Sequence, residues 1–273
     1  MIAASPVRAI LREAALLPKA CRGLKENRYT ISQSLRYLFL RVFISERGYA
    51  AGGSFVTPQG VRLRTRRDFV MYQSLFLFDE YLSSLWRDEL AREIAPVIVD
   101  VGANLGFFSA LCLSICPAAR PCCFELVPEC APVIERRMRE SGCSDFRVVV
   151  GAMGAQDGGT VAIRYEIPYA STNRIGQDRG SHSATVPLIG LDAWCRRNEQ
   201  LFNSDPFLVK VDVEGAERNV LTGGLSLIRR ARWILLELHG NRDALDLVLP
   251  THTVVADTMA PGPEWVCALK RKS

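Results

Sequence analysis

A chain of 273 residues with 48% hydrophobic and 23% charged content can bury a full core, as an ordinary globular chain does. No apolar run approaches the roughly 20 residues of a spanning helix, and the N-terminus MIAASPVRAILREAALLPK lacks the continuous apolar centre of a secretory signal, which points to the cytoplasm. Charge is uneven: residues 1–67 hold 13 Lys and Arg against Glu13, Glu26 and Glu46, a net of +10, while the other 206 residues carry 21 basic and 26 acidic, a net of −5.

The basic stretch reads as a separate helical and β extension or cap over residues 1–95. Within it, ISQSLRYLFLRVF (31–43) places Ile31, Leu35, Leu38, Phe39 and Val42 at helical spacing, with Arg36 and Arg41 interleaved. That stripe suits a cap over the core, the preferred reading, or peripheral contact with an anionic membrane surface. The run VRLRTRRDF (61–69) alternates like a solvated edge strand. No stacking aromatics interleave with its arginines, so nucleic acid is not an expected partner.

From residue 96 to the C-terminus the pattern alternates strand and helix and forms the second expected domain. VIVDV (97–101), CCFEL (122–126), FRVVVG (146–151), FLVKVDV (207–213) and WILLEL (233–238) suit strands buried on both faces. The helical stretches 105–115, 130–141 and 216–228 separate most of them, which is the rhythm of a doubly wound, Rossmann-like, mostly parallel sheet. HTVVAD (252–257) and EWVCALK (264–270) are joined by too few residues for a crossover and must pair antiparallel. Residues 159–194 interrupt the alternation with two strand-like pieces around a polar loop. Cys112, Cys116, Cys122 and Cys123 lie in or beside apolar segments, no CxxC pair exists, and Ala119 stands where a CxxxC iron–sulfur triad needs its third thiol. The cysteines therefore read as small hydrophobes in a reducing compartment.

Ligands of such sheets bind at the carboxyl ends of the strands, where PVIVDVGANLGFF (96–108) sits. Gly102 and Gly106 permit a tight turn and close backbone approach, and a helix starting near Leu105 offers free N–H groups. The second glycine of a dinucleotide site is Asn104 here. Asp100 opposes a pyrophosphate and favours a ligand with an ammonium or sulfonium, and S-adenosylmethionine carries both. Glu125, ending the next strand, is placed to accept from both ribose hydroxyls, a feature shared with NAD sites.

DVGANLG, FELVP, VKVDVEGAERNVLTGG and LLELHG, in that order, resemble the successive motifs of the FkbM family of class I S-adenosylmethionine-dependent methyltransferases, over roughly residues 96–240. The resemblance implies a seven-stranded sheet with an antiparallel last strand. It implies Asp100, Gly102, Asn104 and Gly106 around the methionine part of the cofactor, Glu125 at the ribose, and Ala152 and Met153 near the adenine. Asp157, in GAQDGG, is a second candidate for the adenine amino group and an equally good turn residue.

Methyl transfer is an in-line displacement, so the protein must align a nucleophile and remove its proton. Asp212 and Glu214, ending the fourth strand, are placed to straddle the pocket mouth, with Lys210 an ion-pair partner for Asp212. His239 follows the fifth strand, and an imidazole titrating near neutrality would serve as a base. Glu217 reads as a first-turn dipole partner, His182 as a loop residue and His252 as structural. The histidine spacings give no metal site. The expected function is methylation of a hydroxyl on a small-molecule or glycan acceptor, with a sugar, glycan or specialised metabolite suggested by the resemblance. An NAD-dependent oxidoreductase and a catalytically silent cofactor-binding scaffold remain as rivals, and neither acceptor atom nor oligomeric state is legible.

Overall fold

The chain divides into two units between Glu80 and Tyr81, rather than at the boundary expected after residue 95. The computed structural model describes residues 17–43, 54–165, 180–201, 204–259 and 264–272.

The N-terminal unit comprises a helix over residues 17–26 (α1), α2 (Ile31–Phe43), the short hairpin β1 (Phe55–Val56) and β2 (Arg62–Leu63), and α3 (Arg66–Tyr72). The helix expected at 31–43 forms, and within this unit its apolar stripe faces away from the buried aromatic residues. Ile31, Leu35 and Phe39 are 83%, 64% and 61% exposed, while Tyr37 is fully buried. Tyr37 enters an aromatic cluster with Tyr29, Phe55, Phe69 and Tyr72, its ring centroid 5.2 Å from that of Phe69. This aromatic burial decides which face of α2 turns inward, because large rings bury more apolar surface than an Ile–Leu stripe. The side chain of Val42 lies outside the described residues. The edge strand expected over 61–69 shrinks to two residues. Thr65 and Asp68 form a capping box, the Asp68 carboxylate accepting the Thr65 N–H at 2.9 Å, and this starts α3 instead.

The C-terminal unit begins with α4 (Ser83–Leu90) and continues through β3 (Val97–Val101), α5 (Phe107–Ile115), β4 (Arg120–Glu125), α6 (Ala131–Glu140) and β5 (Arg147–Val150). The excursion follows as β6 (Ala152–Met153), β7 (Thr160–Tyr165) and β8 (His182–Ile189), a small separate sheet in which β8 is central. Then come α7 (Leu191–Arg197), β9 (Leu208–Val211), α8 (Glu217–Gly223), α9 (Leu225–Ile228), β10 (Trp233–His239), β11 (His252–Met259) and β12 (Glu264–Arg271). The main sheet runs β11-β12-β10-β9-β3-β4-β5. It is the seven-stranded, doubly wound sheet the motifs implied: parallel from β5 to β10, with β12 antiparallel to both β10 and β11.

Strand alternation sorts the two faces. Val97, Val99, Val101, Phe124, Val209, Val211, Ile234, Leu236 and Leu238 pack with Leu191, Val220, Leu221, Leu227 and Ile228 from α7, α8 and α9. Each such fully buried side chain contributes roughly 1.5–3 kcal/mol. Asp100, Lys210 and Glu237 therefore point to the opposite face, where α5 lies and Ser109 meets Asp100. Gly102 follows β3 with φ +80, and a Cβ there would stand 1.7 Å from the Asp212 carbonyl oxygen. Only glycine lets the ends of β3 and β9 come this close. All nine cysteines are free thiols and all but Cys21 are buried, as small hydrophobes are.

Candidate functional site

Two clusters occupy the carboxyl ends of the central strands. The first is the turn from β3 into α5. Its backbone is held by main-chain bonds from Gly102 N–H and Ala103 N–H to the Phe124 carbonyl, at 2.9 and 3.0 Å. Glu125 is buried and accepts the N–H of Asn104 at 2.6 Å and of Val127 at 3.0 Å. Burial raises its carboxyl pKa, and those two N–H groups pull it back. Asn104 adopts φ +48, and its Oδ1 is buried with no hydrogen-bond partner. Gly106 precedes α5 with φ +74. The glycines, Asn104 and Glu125 are thus gathered as the sequence led one to expect.

Asp100 differs from that expectation. Its carboxylate is fully enclosed: Oδ2 accepts from Ser109 Oγ at 2.8 Å, and Oδ1 lies 3.5 Å from Lys210 Nζ, with no hydrogen bond of its own. Burial raises the Asp100 pKa against the opposing pull of Lys210 and Ser109. Ala152 and Met153 form β6 beside Leu188 and Ile189, and Met153 belongs to the apolar core. Asp157 is taken up by the turn, accepting from Gly190 N–H and from both terminal nitrogens of Arg197.

The second cluster surrounds the ends of β9 and β10. Lys210, buried, donates to the Gly102 carbonyl at 2.7 Å and lies 3.1 Å from Asp212 Oδ2, the ion pair its spacing predicts. Burial lowers the Lys210 pKa, but Asp212 and Asp100 more than offset this and hold it raised and charged. Tyr81 places its hydroxyl 2.8 Å from Asp212 Oδ2 and 2.7 Å from Glu237 Oε2. One phenolic proton serves only one carboxylate at a time, so these three oxygens form a crowded acidic contact. Tyr81 is held by the edge of Phe108, at 5.4 Å between centroids, and by its carbonyl accepting from Trp86 Nε1.

His239 stands at the end of β10 with Nδ1 2.8 Å from Glu217 Oε1 and Nε2 3.6 Å from Glu214 Oε2. The Glu217 hydrogen bond, opposed by burial and aided by Glu214, raises its pKa to about 9. The imidazole is therefore charged through neutrality, not the near-neutral base expected. Glu217 is fully buried and also accepts from Gly215 N–H and Asn241 Nδ2, both at 2.7 Å. It is a positioning residue for His239, beyond the dipole role read from its sequence place. Asp212, Glu214 and His239 each offer one ligand atom within 4.8 Å of the others, a metal-capable grouping that linear spacing conceals.

Sequence reasoning missed Tyr81 and Glu237. Glu237 had a signal, since a carboxylate inside the apolar run WILLEL must have a partner. Tyr81 had none, and it lay in what was read as the extension. His182 stacks on Tyr165 at 5.5 Å, away from any such grouping. His252 is buried between Thr251 and the Ala231 carbonyl, the structural role expected of it.

The family model described as the methyltransferase FkbM domain matches residues 100–259, more than half of the chain. Among solved structures the chain is similar to a protein of the NADB-Rossmann superfamily from Streptococcus agalactiae, at 11% identity and a TM-score of 0.40, covering 68% of this chain and 67% of that one. It is similar to the precorrin-6y C5,15-methyltransferase of Geobacter metallireducens, at 12% identity and a TM-score of 0.40, over 70% of this chain and 87% of that one. A third likeness is to TrmK of M. capricolum in complex with S-adenosyl-homocysteine, at 9% identity and a TM-score of 0.40, over 68% and 67%. No curated protein matches the chain. Among the described residues no helix is long and apolar enough to cross a membrane.

Proposed function

The chain belongs to the FkbM methyltransferase family, and from that premise we propose that it moves the methyl group of S-adenosylmethionine to a hydroxyl oxygen on a sugar, glycan or specialised metabolite. The observation that carries this reading is the meeting of Asp212, Glu214 and His239 at the strand ends beside the glycine turn. The turn fits the cofactor. Asn104 Oδ1 is a buried acceptor awaiting a donor, and Glu125 keeps lone pairs beyond the two main-chain N–H groups it already accepts, enough for a ribose hydroxyl. Bound S-adenosylmethionine supplies an electrophilic methyl group.

The chain's own residues do the rest. Both the Lys210 and the Tyr81 contacts of Asp212 are to Oδ2, so Oδ1 is the oxygen suited to take the acceptor's proton. Lys210 ties that carboxylate to the Gly102 carbonyl, so the group that accepts the proton and the turn that holds the cofactor share one anchor. His239, charged and fixed by Glu217, supports an acceptor oxygen as negative charge develops on it.

The test is calorimetric titration of the purified full chain with S-adenosylhomocysteine and separately with NAD, using Glu125→Gln as the control. Binding of the first alone, weakened in the control, supports the reading. Binding of NAD without S-adenosylhomocysteine would overturn it. Oxygen specificity is tested by methylating a panel of hydroxylated sugars and glycans with isotope-labelled cofactor and locating the label by fragmentation; label on nitrogen or carbon refutes it.

A further inference from the structure

We propose that Asp212, Glu214 and His239 form a binding site for a divalent transition-metal ion of the Mn2+ or Zn2+ class. Their ligand atoms come from the ends of two adjacent strands and lie within 4.8 Å of one another. The His239 Nε2 to Glu214 Oε2 distance of 3.6 Å is too long for a good hydrogen bond. It matches two ligands of one ion, since atoms about 2.0–2.2 Å from a common metal stand roughly 3 to 4 Å apart.

The surroundings of the imidazole match as well. Nδ1 is committed to Glu217, which is itself fixed by Gly215 N–H and Asn241, so the ring is locked with Nε2 turned toward Glu214 and Glu237, and an ion binding there displaces the Nε2 proton to solvent. A carboxylate behind a histidine, with the far nitrogen facing further carboxylates, is how proteins orient and strengthen an imidazole ligand. One imidazole with two carboxylates favours Mn2+ or Zn2+ over Ca2+, which prefers an all-oxygen shell. An ion here would stand beside the Tyr81–Asp212–Glu237 oxygens and spread their negative charge. Its part in turnover rests on the methyl-transfer reading: with the ion bound, the acceptor hydroxyl is a further ligand acidified by the ion, and Asp212 holds the ion rather than taking the proton itself. The binding of the ion does not rest on that reading.

The full chain, stripped with chelator and dialysed, is titrated with Mn2+ by electron paramagnetic resonance and with Zn2+ by calorimetry. One saturable ion per chain is expected. Binding should weaken at least tenfold in Glu214→Gln and in His239→Gln, and roughly 10- to 100-fold in Glu217→Gln. Wild-type chain should gain melting temperature on adding the ion and Glu214→Gln should not. No saturable binding to the wild-type chain, or binding unchanged in all three variants, overturns the proposal. S-adenosylhomocysteine affinity measured on the same samples separates the two readings. Cofactor binding without the ion refutes the metal site alone, and ion binding without cofactor binding refutes the methyl-transfer reading alone.

Discussion

The glycine turn after β3 and the acidic cluster after β9 and β10 share one edge of one sheet and are built by opposite means. The turn is a local object: Gly102 N–H donates to the Phe124 carbonyl, Asn104 N–H to the Glu125 carboxylate and Gly106 N–H to the Ala103 carbonyl, and all three residues have positive φ within five positions. The cluster is assembled from side chains at 81, 210 to 217 and 237 to 241, joined by ion pairs and shared protons. A site made of backbone tolerates many side-chain changes but no change of turn geometry. A site made of side chains depends on each member and on the anchors that aim it. Lys210 belongs to both, and the contrast is tested by variants on either side of it.

The largest expected effect is at Asp212. Asp212→Asn should lower turnover by about 10²–10⁴-fold, while S-adenosylhomocysteine affinity changes by less than about threefold, as the turn keeps its own bonds. A parallel loss of cofactor affinity in calorimetry would show that the two clusters are one energetic unit. Next comes Asp100→Ala. It leaves the buried Lys210 with Asp212 as its remaining close carboxylate, and breaking a buried pair by removing one partner costs about 3–5 kcal/mol. Urea denaturation should show a loss of that order, with the midpoint moved and the slope unchanged. A loss under about 1 kcal/mol would mean that Asp212 alone suffices for Lys210.

The contrast also explains what was legible. DVGANLG carries its meaning in consecutive residues, since φ angles and a strand-end carboxylate are properties of a short segment, so the turn and Glu125 could be read directly. The sheet was legible for a similar reason: strands buried on both faces read as apolar runs, and the hairpin of β11 and β12 followed from a connection too short to cross over. The acidic cluster was legible only in part. Asp212 and His239 stood at strand ends, but their meeting with Tyr81, Glu217 and Glu237 depends on sheet register and on how α4 packs on α5, which no spacing encodes. The outward stripe of α2 failed for another reason. Periodicity finds an apolar face but cannot say that Tyr37 and its ring partners will compete for the core and win.

A smaller effect is expected at Glu125. Hydrogen bonds to a charged group contribute about 1.5–3 kcal/mol each, so Glu125→Gln, which keeps its shape and loses its charge, should weaken S-adenosylhomocysteine binding roughly tenfold. Turnover at saturating cofactor should fall by less than about threefold. A collapse of turnover at saturation would assign Glu125 to the chemistry and blur the division between the two clusters.

An effect of similar size, and the most informative about the acidic cluster, is expected at Tyr81. Tyr81→Phe keeps the ring against Phe108 and removes only the hydroxyl between Asp212 and Glu237. Two carboxylates then face one another without the shared proton. If that proton alone holds them together, Glu237 moves away from Asp212 and turnover falls about tenfold, in line with a net hydrogen-bond contribution near 1–1.5 kcal/mol. If a bound ion holds them, the loss is smaller with the ion present and larger after chelation. Turnover of Tyr81→Phe measured with and without added Mn2+ therefore reads the charge balance of the cluster directly. Equal losses in both conditions would mean that the phenol acts independently of any cation, and that the crowding of these oxygens is relieved by a carboxyl proton instead.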